Sequence, residues 1–413
     1  MTGDGATAGQ PILWLELFFD LVAVAAMVVL ATALEEHPGW GGIGVFAVTF
    51  AAIWTTWSSY ALYVNVASEQ AERRTILLGM AGIAVMAASL VDLEAHADAF
   101  AVAFVLCRLF TVRASLRTGR LLAAWPIAQI GGFTTPWIVS LWVPAPGRYW
   151  LWALALTVDL LSQIRRRDAT ETLAQIEARV ARDRERGRVR PTLVAAPVRE
   201  HHLVERFGTF VIIVLGESVL QLVRAASEVP WDAAMWSTAF AGFGVIVTLW
   251  RLTFAYGFSG APGVRGGGGL GSGVDLRIAM PTHLVSTGSL VVLAAALGEM
   301  VRHPEHHAEG VWPVIAAAAL GVHLLVAVVS ALLSGSARRW VWGWGVPAVV
   351  AVAVVGATGR WIPVSAYVWL LLVPLAWLVM DARAPRAAAA GVAGSAAAGP
   401  GGSGGGAPSH PRT

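Results

Sequence analysis

Long apolar segments, separated by short polar stretches, recur from the start of the chain almost to its end. Each is about 17 to 26 residues long, close to the roughly 20 residues that an α-helix needs to cross a membrane. We therefore predict an all-α integral membrane protein with about twelve transmembrane helices. Their approximate limits are 13–34, 42–66, 75–94, 98–116, 119–142, 148–164, 204–223, 235–257, 276–301, 311–334, 338–358 and 362–381.

The positions of the basic residues predict how these helices are oriented. All 29 basic residues are arginine. If the N-terminus lies on the inner side, 22 of them fall in or at the edge of inner loops and tails and 4 in or at the edge of outer loops, while Arg108, Arg206 and Arg251 are counted within spans. Inner loops of membrane proteins carry the excess of positive charge. This split predicts that both termini are inside, and that the chain is a multi-pass protein of the cell inner (plasma) membrane.

Composition narrows the class of protein further. Apolar residues make up 56% of the chain and charged residues only 13%, about half the charged fraction of a typical soluble domain. This excludes nucleic-acid binding and disorder for most of the chain, and makes the lipid bilayer its main partner. The tail is different, because it is rich in Ala, Gly and Pro without apolar periodicity, which is typical of disorder.

The order of the segments suggests two related halves. Three pairs of residues recur in the same order in or just before corresponding helices: Glu16 and Glu205, Trp54 and Trp250, and Arg74 and Arg277. Their offsets of 189, 196 and 203 residues grow only with loop length. We therefore predict a 6+6 internal duplication. The predicted regions are a first six-helix repeat at 1–164, a charged cytoplasmic loop at 165–203, a second six-helix repeat at 204–383 and a disordered tail at 384–413.

Two motifs resemble those of a known family. Residues 201–218 read HHLVERFGTFVIIVLGES, and residues 16–22 read ELFFDLV. They are similar to the hallmarks of the low-temperature-requirement protein A family of bacterial membrane proteins, and the tryptophan-rich stretch at 53–57 is similar to that family's second helix. The likeness covers about residues 12–380. It implies an integral membrane protein linked to growth at low temperature, and it supplies no established reaction.

Charged and histidine side chains within the spans are the candidates for function. A charge at the centre of a transmembrane helix costs about 2.5–3.5 kcal/mol on insertion scales, so such residues are rare and pair with one another. Together they outline a polar path from the inner surface to the middle of the membrane. The candidates for a proton, ion or substrate pathway are Glu16, Asp20, Arg108, Asp159, Glu205, Arg206, Glu217, Arg251, His283 and His323.

Several of these residues have two interpretations. Glu16 and Asp20 are four residues apart on one helix face, where two close carboxylates share a proton or cation; Glu16 alone could instead cap the helix. Glu217 is either a titrating group or the static partner of Arg108 or Arg251.

The remaining candidates are equally open. His283 and His323 are either hydrogen-bonded core residues or ligands. Glu205 and Arg206 either belong to the path or anchor their helix at the membrane surface.

The balance of charge favours transport. Five acidic residues among the candidates face three arginines, so two carboxylates must be protonated, paired with histidine or neutralised by a cation. We therefore favour a proton- or cation-coupled secondary transporter of an unknown small solute.

Two other functions remain open. One is a membrane scaffold or stress protein without transport, and the other is a membrane-embedded enzyme, which we favour less because no nucleophile–base pair is evident. We predict no cofactor and no catalytic metal site.

Overall fold

The structure is a computed structural model that describes residues 10–121, 132–165, 194–256, 275–305, 307–308, 310–334 and 338–397, with the single positions 178, 181, 182 and 185. Two short strands pair in parallel beside the helices. The elements of the first half are α1 (Gln10–Glu36), α2 (Trp40–Ala67), α3 (Arg73–Leu90), α4 (Leu93–Thr118), β1 (Arg120–Leu121), α5 (Thr135–Val139) and α6 (Gly147–Arg165). The remaining elements are β2 (Val194–Ala195), α7 (Glu200–Ser227), α8 (Ala233–Tyr256), α9 (Leu276–Arg302), α10 (Val311–Leu333), α11 (Arg338–Trp340), α12 (Val346–Thr358) and α13 (Val364–Ala397).

Apolar helices of membrane-spanning length dominate the described part of the chain. It contains 9 helical segments that are long and apolar enough to cross a membrane, and the start of α13, Val364–Met380, is a shorter apolar helix. One of the nine, Arg338–Trp361, joins α11 to α12 through a π-helical turn at Val341–Gly345. The chain is therefore a multi-pass, all-α membrane protein, while the count of twelve and the duplication stay predictions.

The predicted fifth span differs from a single helix in its described part. Arg120 and Leu121 form strand β1, and in the described part that resumes at Gly132 the residues before the short helix Thr135–Val139 are not helical. Gly132 has a left-handed backbone with φ of 57°, a conformation that interrupts an α-helix and that glycine adopts without steric cost. Residues 122–131 of that predicted span lie outside the described residues.

The last helix continues beyond its predicted end. Helix α13 runs to Ala397, well into the segment at 384–413 predicted to be disordered. Alanine has the highest intrinsic helix propensity, and the Ala-rich sequence after residue 384 follows it. Residues 398–413 lie outside the described part, as does most of the charged loop at 165–203.

Helices α1 and α2 connect the two halves of the bundle. Helix α1 packs against α2 and α3 within the first half and against α7 and α9 of the second. Helix α2 also contacts α7 and α9. The interface between the halves is therefore built mainly from α1, α2, α7 and α9, with a smaller contact between α6 and α9. We call the end of the bundle where α1 and α7 begin the inner end, following the predicted orientation, and the opposite end the outer end.

Cysteine labelling tests this orientation, because the single native cysteine, Cys107, is buried. We expect cysteines replacing the exposed Glu36 and Glu305 to react in intact cells with a membrane-impermeant maleimide. A cysteine replacing the exposed Arg74 should react only after the cells are lysed. Labelling of Arg74→Cys in intact cells would contradict the arginine-based topology.

Candidate functional site

Two acidic residues of α1 share one arginine of α7 at the interface between the halves. Arg206 Nη1 lies 2.8 Å from Glu16 Oε2, and its Nη2 donates to Asp20 Oδ1 at 2.7 Å. All three side chains are buried. The carboxylates face one partner because residues four apart lie on the same side of a helix. Of the two interpretations of Arg206, its burial and these contacts favour an internal charge over a surface anchor.

A histidine completes this group from the inner end. His202 Nε2 lies 3.1 Å from Glu16 Oε2, and His202 Nδ1 lies 3.3 Å from Asn65 Nδ2. The Asn65 amide is oriented by Arg199, whose backbone N–H donates to Asn65 Oδ1 at 3.0 Å. Because Asn65 Nδ2 is then a donor, His202 Nδ1 accepts and Nε2–H donates to Glu16. The geometry favours a neutral imidazole at this position.

Two tryptophans of α2 extend the polar contacts into the core. Trp57 Nε1 donates to Asp20 Oδ1 at 2.7 Å, and Trp54 Nε1 donates to His283 Nδ1 at 2.9 Å. The Trp57 ring stacks on His283, with 5.4 Å between the ring centroids. His283 also lies within hydrogen-bond distance of the Phe207 carbonyl, at 3.2 Å. This predicted site residue is thus held by α2 and α7 on either side.

We call the group formed by Glu16, Asp20, Trp57, His202 and Arg206 the central cluster. The formal charges of its members do not sum to zero. Two ionised carboxylates, one guanidinium and one neutral imidazole sum to −1. Asp20 Oδ2 is buried and has no hydrogen-bond partner, although its other oxygen accepts two hydrogen bonds. A buried, unpaired carboxylate oxygen is costly, so this atom is a suitable place for one proton or a small cation.

A second charged pair is buried within the first half. Arg108 Nη2 donates to Asp159 Oδ2 at 3.0 Å, and the Phe133 backbone N–H donates to Asp159 Oδ1 at 2.7 Å. A Cβ at Gly132 would overlap the Arg108 guanidinium and the Asp159 carboxylate. The turn at Gly132 therefore fits closely over the pair. These two predicted site residues neutralise each other and do not join the central cluster.

A third network ties together the outer ends of three helices. Arg302 at the end of α9 contacts Glu299 at 2.5 Å, Glu228 at 2.7 Å and Glu35 at 3.2 Å. Glu299 lies in α9, Glu228 directly follows α7, and Glu35 lies in α1. Hydrogen bonding from Arg302 lowers the pKa of the exposed Glu228 carboxyl below its usual value. The network joins the two halves at the end opposite the central cluster.

The other predicted site residues lie apart from these groups. Glu205 is exposed and faces His201 at 3.8 Å. Glu217 is half-buried, its oxygen 3.5 Å from the Gln221 amide nitrogen, and it forms no ion pair with the described arginines. Arg251 is exposed on α8. His323 lies between α9 and α10, 3.5 Å from the Ser289 hydroxyl. Among the described residues, Glu217 is therefore not brought into an ion pair with Arg108 or Arg251, and its role stays a prediction.

Several contributors to these sites were not among the predicted site residues. His202 is part of the family-like motif, but its contact with Glu16 joins residues 186 positions apart. Trp54 and Trp57 are uncharged, whereas the predicted site residues were the charged and histidine side chains within the spans. Glu35 and Glu299 lie within one turn of the ends of their helices. An acidic residue near the end of an apolar span was the sequence feature that could have identified them.

Comparison with known proteins identifies the family. A family model described as "Bacterial low temperature requirement A protein (LtrA)" matches residues 12–394, nearly the whole chain. No curated protein and no solved structure matches the chain. The residues of the central cluster all lie within the matched range. The chain belongs to the bacterial low temperature requirement A protein family.

Proposed function

We propose that this protein is a proton-coupled secondary transporter of a small solute in the bacterial inner membrane. The observation that carries the proposal is the central cluster, in which two buried carboxylates share one guanidinium at the interface between the halves. Transporters built from two halves place substrate and coupling-ion sites at the interface of the halves. A proton- or cation-binding group is expected there.

The charge of the cluster supports a proton as the coupling ion. With both carboxylates ionised, the cluster carries one uncompensated negative charge, and Asp20 Oδ2 has no partner. The charged groups that face Asp20 are Glu16 and Arg206, and the nearby His202 contacts Glu16. Adding one proton neutralises the whole. His202 is the most exposed member of the cluster, with 25% of its side chain accessible, and so offers a route for that proton from the inner end.

A proton-coupled transporter takes up a proton on one side of the membrane and releases it on the other. The central cluster must therefore become accessible from each side in turn. Arg206 belongs to α7, while Glu16 and Asp20 belong to α1, so any movement of one half relative to the other changes these distances. An ionised pair favours the closed interface, and protonation of Asp20 weakens that attraction. The proton would thereby favour one of the two arrangements that alternating access requires.

The substitution Asp20→Asn tests the proposal, because Asn keeps an oxygen that can accept from Trp57 and Arg206 but cannot bind the proton. We expect purified wild-type protein in liposomes to move protons when the low-molecular-weight fraction of a bacterial extract is added outside. The change is read with a pH-sensitive dye inside the vesicles. Asp20→Asn should elute as folded protein and show no solute-dependent proton movement.

The matched control is Asp98→Asn, the same substitution at an exposed aspartate that pairs with Arg148 near the outer end. It should keep the wild-type proton movement. Equal solute-dependent fluxes in Asp20→Asn and wild type would remove Asp20 from coupling. No solute-dependent flux in any variant would contradict transport and favour the alternative below.

The alternative is a membrane scaffold or cold-adaptation protein without transport. The Arg302 network favours it, because a network that clamps α1, α7 and α9 at the outer end restrains the movement of one half against the other. In that function the central cluster only holds the halves together. Asp20→Asn would then alter stability while cold growth remained normal in cells that carry the variant.

A further inference from the structure

A cavity of about 240 Å³ lies between α2, α4, α6 and α9, beside the Arg108–Asp159 pair. Its walls are mostly apolar and include Leu156 of α6 and Leu284 of α9. Trp54 and Ser59 of α2 also line it. Because α9 belongs to the second half, the cavity lies at the interface between the halves, as the central cluster does.

Two buried polar atoms in the lining residues have no partner. Arg108 Nε and Gln163 Oε1 are both buried without a hydrogen bond, and both residues are 1% exposed. One atom is a donor and the other an acceptor. Leaving a buried donor or acceptor unpaired is unfavourable, because the group has lost its hydrogen bond to water. An occupant that supplied the complementary pair of groups would remove both costs.

We propose that this cavity is the solute site, and that it takes a small uncharged molecule with an apolar body and a carboxamide-like pair of acceptor and donor groups. When the molecule binds, the two side chains turn toward the cavity, so that its carbonyl oxygen accepts from Arg108 Nε and its N–H donates to Gln163 Oε1. The inference rests on the proposed function for the transport of that molecule, while the binding itself does not depend on transport.

The size and charge of the cavity set the class of molecule. An engineered apolar cavity of about 150 Å³ holds benzene, so about 240 Å³ has room for a benzene-sized body and one polar group. The Arg108 charge is already neutralised by Asp159 at 3.0 Å. An anionic solute would bring an uncompensated charge into a mostly apolar site. The site therefore selects a neutral amide over the corresponding carboxylate.

The cavity is connected to the central cluster by direct contacts. Trp54, which lines the cavity, donates to His283. His283 stacks against Trp57, which donates to Asp20. A solute that moves the Trp54 ring therefore acts on the side chains around the proton-binding carboxylate. This chain of contacts gives solute and proton a physical means of influencing each other.

The test measures the binding of 4-fluorobenzamide to the full-length protein in lipid nanodiscs, followed by the broadening of its fluorine NMR signal and referenced to empty nanodiscs. We expect saturable binding to the wild type. Benzoate fluorinated at the same position should bind at least about tenfold more weakly, because it carries a charge. Gln163→Leu should weaken amide binding about 3- to 10-fold through the loss of one hydrogen bond.

Gln221→Leu is the matched control, because Gln221 is also buried with an unpartnered Oε1 but does not line the cavity. It should leave binding unchanged, and both variants should fold because neither loses an accepted hydrogen bond at Oε1. Equal weakening in the two variants, equal binding of amide and benzoate, or no saturable binding would overturn the site. Binding without solute-driven proton movement would instead contradict the proposed function and leave the site intact.

Discussion

Replacing Arg206 with glutamine is expected to lower the free energy of unfolding by about 3–5 kcal/mol. Arg206 is the cation that both Glu16 and Asp20 contact, at 2.8 and 2.7 Å. Glutamine leaves two buried carboxylates without a cationic partner, and burial of an uncompensated charge is costly. Unfolding in mixed micelles titrated with a denaturing detergent measures the difference.

Removing one of the carboxylates should recover much of the lost free energy of unfolding. In the double variant Arg206→Gln/Asp20→Asn the cluster keeps one acid, Glu16, beside His202, so the excess of negative charge is smaller. The control is Arg251→Gln, because Arg251 is an exposed arginine of α8 and should change the unfolding free energy by less than about 0.5 kcal/mol. A single variant Arg206→Gln as stable as Arg251→Gln would mean that the cluster does not hold the halves together.

Some features of the central cluster could be predicted from the sequence. Apolar segment length predicts the spans, and the four-residue spacing of Glu16 and Asp20 predicts a shared helix face. The identity of their partner could not be predicted, because Arg206 lies 186 residues after Asp20. Its position depends on how α1 and α7 are rotated and shifted against each other. Only side-chain packing at the interface determines these quantities.

The candidates at the middle of the membrane show the same limit. Helix rise gives the depth of a residue but not its neighbours. Arg108, Glu217 and Arg251 could be combined in several ways by depth alone. In the structure Arg108 pairs with Asp159, Glu217 is half-buried beside Gln221, and Arg251 is exposed. The partner of a buried charge is a property of tertiary packing, so the sequence could indicate the set of charges but not the pairs.

Gly132→Ala is expected to lower the free energy of unfolding by at least about 3 kcal/mol, from two separate causes. A left-handed backbone costs a residue with a Cβ about 1–2 kcal/mol, and Gly132 has φ of 57°. In addition, the new Cβ would overlap both the Arg108 guanidinium and the Asp159 carboxylate. Separating this buried pair, which is joined at 3.0 Å, costs more than the backbone strain alone, because each charge is then left without its partner.

The control for these two causes is a glycine at which a Cβ would meet no neighbouring atom. Its substitution shows what replacing a glycine does in the absence of strain or overlap. Gly216 lies within α7 with no atom near its potential Cβ, so Gly216→Ala should leave stability unchanged or raise it by up to about 1 kcal/mol through helix propensity. The variant Gly132→Asn then isolates the contact with the ion pair, because Asn tolerates a left-handed backbone but still carries a Cβ. If Gly132→Asn were as stable as wild type, the turn would not press on the Arg108–Asp159 pair. A loss close to that of Gly132→Ala would show that the fit over the pair, more than the backbone conformation, requires glycine at this position.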